Sequence, residues 1–238
     1  MTNELRYTDL FLDFDDTLYD TRGNAEAALE ELFEAYELGK YFEKAEDFIR
    51  PYWTTNEELW HEYAHGRIAR EKLIVERFHR PLSLGKGLHP SEEDCLQMNN
   101  AFLELCADKS GVVEGAYALL HHLKRRGYRL HLCSNGFREV QYRKLAAARM
   151  TDYFDTIVLS EDAGATKPAA AFFDHAFEAT GADREKTLMV GDNFSTDIVG
   201  AQGVGMDTLF FNRKPDSFSP PTRPTFEVKA LQEIKALL

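Results

Sequence analysis

Leu10-Phe11-Leu12-Asp13-Phe14-Asp15-Asp16-Thr17 is the stretch on which the reading of the chain turns. The run Thr8-Asp9-Leu10-Phe11-Leu12 ends in apolar residues too few for a helix, which predicts a buried strand of the parallel kind. That strand stops abruptly in three carboxylates and a threonine. Three acids within four residues repel one another, so a cation or a catalytic task is needed to hold them together. Alternation along an extended segment aims Asp13 and Asp15 to the same side. A solvated acidic turn is the plain alternative, but it leaves unexplained why later strands end in the same way. An EF-hand loop also opens on spaced acids. It needs glycine where Leu18 stands and glutamate where Asn24 stands, so that reading fails.

From Gly23 to Asp108 the sequence is rich in Glu, Ala, Leu and aromatics, with helical spacing and little strand signal. Tyr41, Ala45, Phe48, Ile49 and Tyr52 predict a helix that Pro51 disturbs. Thr55 and Glu58 form a capping-box signature for another helix, carrying Leu59, Trp60 and Tyr63. Further helices are expected over Ile68–Phe78 and Glu92–Leu105, separated by a loop from Pro81 to Pro90. From Val112 onward, strands alternate with helices. Strands are expected at Tyr128–Cys133, Thr156–Leu159, Thr187–Val190, Thr208–Phe211 and Phe226–Val228, the last after a Pro-rich stretch from Pro215 to Pro224. Repeated βα units predict an α/β fold: a doubly wound, parallel, Rossmann-like sheet with right-handed crossovers. The all-helical insertion, 20–108, is expected to form a cap domain on a core made of 1–19 and 109–238. No internal repeat or low-complexity segment is present.

The formal charge of −12 over 238 residues argues against a nucleic-acid groove or an anionic membrane surface as partner. A small phosphorylated substrate remains compatible, because a bound divalent cation inverts the local field. Cys95, Cys106 and Cys133 are odd in number and lack CxxC spacing, which predicts free buried thiols and a reducing, cytoplasmic setting. The first residues carry no apolar signal core, and no apolar run approaches a membrane span. Asn193-Phe194-Ser195 matches a glycosylation sequon, which is read as coincidence without a secretory signal.

In an open parallel sheet the C-terminal ends of the strands share one edge, where ligands bind. Four expected strands lead there into polar chemistry: Asp13 and Asp15; Ser134 and Asn135; Lys167 a few residues on; and Asp192 with Asp197. These residue types suit phosphoryl transfer. An aspartate can act as nucleophile, and a second carboxyl two residues on can protonate the leaving alcohol and then activate water. Asp13 and Asp192, with Asp197 as a third acid, suit an octahedral Mg²⁺. Ser134, a backbone N–H near Asn135 and Lys167 can hold phosphoryl oxygens. Asp197 can equally anchor Lys167, the role favoured here, or be a first-turn helix acid. Asp16 is read as a structural turn residue.

With these motifs in order, the sequence resembles phosphatases of the haloacid dehalogenase superfamily. The resemblance implies Asp13 as nucleophile, Asp15 as acid/base, and Ser134 and Lys167 as the second and third motifs. Asp192 and Asp197 supply the fourth. It implies Asp13, Asp15 and Asp192 as metal positions, Thr17, Ser134, Asn135 and Lys167 as phosphate contacts, and Asn193 with Asp197 as supporting groups. Ser134-Asn135-Gly136-Phe137 with Gln141, then Phe154-Asp155, Ser160-Glu161 and Lys167-Pro168, are similar to the pyrimidine 5′-nucleotidase subgroup. Asn56, Leu59-Trp60, Tyr63, Gly66 and Arg77-Phe78 resemble its cap. Ala169-Ala170, in place of an acidic residue after Lys-Pro, and Phe211, in place of tryptophan, depart from the subgroup.

The resulting expectation is a Mg²⁺-dependent phosphomonoesterase acting on nucleoside monophosphates, pyrimidine ones favoured. Asn56, Trp60, Tyr63 and Arg77 are its candidate cap contacts. Alternatives are a phosphatase of a sugar phosphate or other metabolite, a superfamily mutase, a haloacid dehalogenase, and a non-catalytic phosphate-accepting module. The last two leave Asp15 without a task. His61-Glu62-Tyr63-Ala64-His65 matches the HExxH zinc motif, but Ile68 and Glu71 stand where a metzincin carries glycine and histidine, and zinc hydrolysis is set aside. Oligomeric state is not legible in the sequence.

Overall fold

The computed structural model describes residues 6–213 and 222–238. Six parallel strands form one sheet in the order β3-β2-β1-β4-β5-β6. They are β1 (Asp9–Leu12), β2 (Arg129–Ser134), β3 (Thr156–Leu159), β4 (Thr187–Gly191), β5 (Asp207–Phe211) and β6 (Phe226–Val228). The order reverses at β1, which lies between β2 and β4, so the crevice for ligands in such a sheet opens beyond Leu12. Most of the Pro-rich stretch lies outside the described residues.

The strands read as apolar because both faces are covered. Leu10, Leu12, Leu130, Leu132, Leu188, Val190 and Leu209 point to one side. They pack with Leu119, Leu120 and Leu123 of helix α5 (Ala116–Arg126) and with Leu231 and Ile234 of α10 (Leu231–Leu237). The alternate residues Phe11, Cys133 and Met189, with Val158, pack on Phe172, Phe173 and Ala176 of α8 (Ala170–Thr180). Gly127 ends α5 at φ 88°, a left-handed conformation that glycine adopts without a Cβ penalty. Cys95, Cys106 and Cys133 are free and buried. Among the described residues no helix is long and apolar enough to cross a membrane.

The chain divides into two compact units, one of 1–21 and 110–238 and the other of 22–109. Asp20 and Thr21 stay with the sheet because Asp20 donates its N–H to Gly111 O at 3.1 Å and Thr21 Oγ1 binds Asp15. The second unit is helical: α1 (Thr21–Ala35) enters it, and α2 (Glu46–Ala64), α3 (Arg70–Leu82) and α4 (Glu92–Ala107) follow. Tyr52 is central, its ring 5.1 to 6.4 Å from those of Phe48, Trp53, Phe78 and Phe102.

Three boundaries differ from expectation. A single helix, α2, runs through Pro51 and Thr55. Proline there removes one backbone bond near the helix start, and burial of Phe48, Tyr52, Trp53, Thr55 and Leu59 outweighs that loss. Thr55 is therefore a buried interior residue and not a cap. Likewise α3 continues through Pro81 to bury Leu82. The capping box is found instead at Ser91, which exchanges hydrogen bonds with Asp94.

Asp9 is a carboxylate buried inside the sheet. It accepts from Thr8 Oγ1 at 2.7 Å, from His131 Nε2 at 2.8 Å and from Arg129 Nη2 at 2.9 Å. Burial opposes its ionisation, but the bonds from His131, Thr8 and Arg129 prevail and hold it below the usual carboxylate range. Asp9→Ala leaves the His131 N–H without its acceptor and is expected to cost about 1–3 kcal/mol in urea unfolding at pH 7. Because the native pKa is depressed, this contribution is complete above the unfolded value of about 3.9 and vanishes as pH falls through the native one. The gap between wild type and Asp9→Ala should therefore shrink at pH 3.

Candidate active site

Strand register brings the expected motifs to one rim. Leu12 pairs with Leu132 on one side and with Val190 on the other, so the chain leaving β1 runs beside the ends of β2 and β4. Asp13 is tied there by its N–H to Val190 O at 2.9 Å. The loop that follows turns tightly: Asp16 adopts φ 60° and its N–H meets Tyr19 O at 2.8 Å. Arg213 Nη1 donates to Asp16 O at 3.1 Å.

Lys167 lies fully buried at the centre of the rim. Its ammonium uses all three protons: on Asp13 Oδ1 at 2.8 Å, Asp197 Oδ1 at 2.7 Å and Cys133 O at 2.7 Å. Burial favours neutral lysine, yet the charges of Asp13 and Asp197 prevail and its pKa rises. Asn135 clamps the lysine backbone, its Oδ1 accepting from Lys167 N at 2.8 Å while Nδ2 donates to Lys167 O at 2.9 Å. The structure thus gives the Asn135 side chain a scaffolding place and not an open phosphate contact.

Asp197 is buried, with Oδ1 on Lys167 and Oδ2 accepting from Asn193 N at 3.1 Å. Asn193 Oδ1 accepts from Ser195 N at 3.1 Å and Thr196 N at 3.2 Å, which opens the wide π-type turn Phe194–Ile198. The sequon asparagine is a local cap.

Thr17, expected to touch phosphate, is wholly buried. Its hydroxyl lies 3.1 Å from Asp13 Oδ2 and 3.2 Å from Asp192 Oδ1, and accepts from Asp192 N at 3.1 Å. It fixes the two carboxylates against each other and has no face left for a ligand.

Oxygens of Asp13, Asp192 and Asp197 converge within 4.8 Å, the group among the described residues able to hold a cation. Asp15 does not belong to it. Its carboxylate is turned to Thr21, Lys144, Gln141 and Ser134, so the expected metal role for that carboxylate is corrected. Lys167 and the turn already engage Asp197, which leaves Asp13 and Asp192 short of positive partners. Burial pushes Asp13 up to about 7, helped by the charges of Asp197 and Asp15 and opposed by Lys167. Burial and the Asp13 charge raise Asp192 as well. Buried oxygen donors whose negative charge is incompletely balanced fit a hard divalent cation such as Mg²⁺, which takes one or two carboxylates and keeps waters.

Asp15 behaves oppositely. Burial disfavours its charge, but the Lys144 ammonium and bonds from Lys144, Thr21 and Gln141 hold it below the usual range. Lys144 and Thr21 were not singled out from the sequence. Gln141 and Lys144 are three apart on α6 (Arg138–Ala147) and therefore share a face, the signal that could have found the lysine.

In the helical unit, Arg77 is buried with Nε on Asn99 Oδ1 at 3.0 Å, so this expected cap contact is an internal group. Trp60 and Tyr63 stack edge to face at 5.7 Å, and Asn56 keeps its side-chain oxygen buried without a hydrogen-bond partner among the described residues. The His61 and His65 rings are 4.3 Å apart, but Glu62 is locked to Arg67 at 2.8 and 2.9 Å. No third ligand joins them among the described residues.

Gly191 closes β4 against Asp197. A Cβ there would stand 2.1 Å from Asp197 Oδ2, so Gly191→Ala must displace the carboxylate that anchors Lys167. Chemical denaturation is expected to show a loss of about 1–3 kcal/mol for this variant.

Known proteins with this arrangement are recognisable. The family model for haloacid dehalogenase-like hydrolase matches residues 10–205. The putative HAD-hydrolase YfnB of Bacillus subtilis is 29% identical over 98% of this chain and 96% of its own. Its magnesium-bound crystal structure superimposes with TM-score 0.87, covering 98% of each chain. The pyrimidine 5′-nucleotidase YjjG of Escherichia coli is 32% identical over 96% of each chain. An L-2-haloacid dehalogenase from Xanthobacter autotrophicus, at 19% identity and TM-score 0.75, shares the fold over 97% of this chain and 98% of its own. With the matched region running from inside β1 to beyond α9 (Val199–Gly203), the chain belongs to the haloacid dehalogenase-like hydrolase family.

Proposed function

We propose that this hydrolase is a Mg²⁺-dependent phosphomonoesterase of 5′-nucleotides, pyrimidine ones favoured, working through an aspartyl-phosphate on Asp13. The observation that carries the reading is the contrast between two carboxylates on one loop. Asp13 faces Lys167 and the acidic group, while Asp15 has its own donors and stands outside that group. Two carboxylates in unlike surroundings are what a nucleophile and a separate acid/base require. Similarity to the E. coli pyrimidine 5′-nucleotidase supports the substrate class.

In the first half-reaction an Asp13 oxygen attacks phosphorus. The P–O bond to the leaving alcohol breaks, and Asp15, ionised in the free site, takes the acidic proton of the bound phosphomonoester monoanion and gives it to that oxygen. In the second, ionised Asp15 takes a proton from water as the water oxygen attacks the same phosphorus, and the Asp13 carboxylate is released with inorganic phosphate. Asp13 and Asp192 would hold magnesium, which supplies positive charge between an anionic nucleophile and an anionic substrate. Lys167 holds Asp13 in place and adds positive charge beside it. Ser134, buried at the end of β2, is the side-chain donor assigned to the phosphoryl group. Discrimination among leaving groups is assigned to the helical unit, with Asn56, Trp60 and Tyr63 as candidate contacts.

Asp13→Asn should fold and lose all but a few per cent of kcat, since an amide does not attack phosphorus. Chelation should abolish turnover and added Mg²⁺ restore it. In a phosphomonoester screen, 5′-UMP, dUMP and dTMP should exceed sugar phosphates in kcat/KM. A sugar phosphate ahead of every nucleotide by tenfold would overturn the substrate assignment and leave the chemistry standing.

A further inference from the structure

Asp15 is caged by donors on both oxygens. Oδ1 accepts from Lys144 Nζ at 2.5 Å and from Thr21 Oγ1 at 2.6 Å. Oδ2 accepts from Gln141 Nε2 at 2.6 Å, with Ser134 Oγ at 3.5 Å. Lys144 is the unusual member. It is a lysine only 9% exposed on a helix, and the ion pair it makes among the described residues is with Asp15. Its ammonium also lies 5.3 Å from the Tyr19 ring.

Burying an ammonium is costly unless it is paired, and Lys144 finds that partner in Asp15. The approach of Gln141 is built in as well. Gly136 precedes α6, and a Cβ on it would stand 2.4 Å from the Gln141 carboxamide. Its absence lets Gln141 reach both Ser134 Oγ, at 2.5 Å, and Asp15.

We propose that Lys144 is a positioning residue that sets the rotamer of Asp15 for proton transfer at the leaving-group oxygen, with Gln141 steadying the second carboxylate oxygen. The inference rests on Asp15 being the acid/base. An acid must come within about 2.6–3.2 Å of the atom it protonates. Misplacement by about 1 Å costs about 10²-fold. Lys144 acts through Asp15, and its loss should be felt where a proton must be delivered and not where none is needed.

The test compares two leaving groups in the Mg²⁺-loaded enzyme. A nucleoside leaves as an alkoxide that needs a proton, whereas p-nitrophenolate leaves without one. Lys144→Met should lower kcat for 5′-UMP by about 100-fold with KM changed less than about threefold. The single-turnover burst of nitrophenolate, which reports only the first half-reaction, should change less than about threefold. Lys144→Arg keeps the charge at a shifted position and should recover about tenfold of the loss. Asp15→Asn run in parallel should show the same split more severely.

Equal slowing of both reactions by Lys144→Met, or no slowing of either, would overturn the proposal. Should Lys144→Met fail to fold by thermal melt, Lys144→Arg decides alone: selective slowing with UMP supports positioning, and equal slowing refutes it. If Asp15→Asn shows no split, the acid/base reading falls instead, whatever Lys144 does.

Discussion

One buried ammonium organises the rim of the sheet. Lys167 binds Asp13 after β1, the carbonyl of Cys133 in β2 and Asp197 after β4, and Asn135 grips its backbone. A single side chain therefore joins four separate stretches of chain. A lysine in so dry a place is tolerable only because every proton has an acceptor and two of those acceptors are charged. The glycine at 191 belongs to the same constraint, since the carboxylate that anchors the lysine occupies the space of its missing side chain.

Electrostatics at the rim are deliberately out of balance. Four carboxylates, Asp13, Asp15, Asp192 and Asp197, face two lysines, 167 and 144. Lys144 satisfies Asp15, and Lys167 is shared between Asp13 and Asp197, so the deficit falls on Asp13 and Asp192. Burial raises both Asp13 and Asp15, and that distribution then makes their net pKa shifts opposite. The shortfall of positive charge at the rim is thus set by side-chain arrangement and not by the overall charge of the chain.

The sheet and the helical unit solve different packing problems. Each central strand buries alternate residues on opposite faces, so the carboxylates can gather only where the strands end. The helical unit has its own aromatic core, and Arg77 is part of it. An arginine in a list of polar cap residues looks available to a ligand; its neighbours in space decide otherwise.

The sequence by itself determined the parallel α/β plan and the order in which Asp13, Ser134, Lys167 and Asp192 follow its strands. Short apolar runs ending in polar residues carry that information locally, and the connection rules for parallel strands do the rest. Strands at Thr156–Leu159 and Phe226–Val228 have the bounds read from residue pattern alone. Local signals misled where burial overrode them, as at Pro51, Thr55 and Pro81 within continuous helices. Apart from the pairing of Asp197 with Lys167, partnership was not legible. That the Thr17 hydroxyl and the Asn135 side chain spend their hydrogen bonds on the scaffold, and that Lys144, one of several basic residues around α6, belongs to Asp15, depends on directions between elements 32 to 175 residues apart. Those directions are set by sheet order and helix packing, and only the tertiary structure decides them.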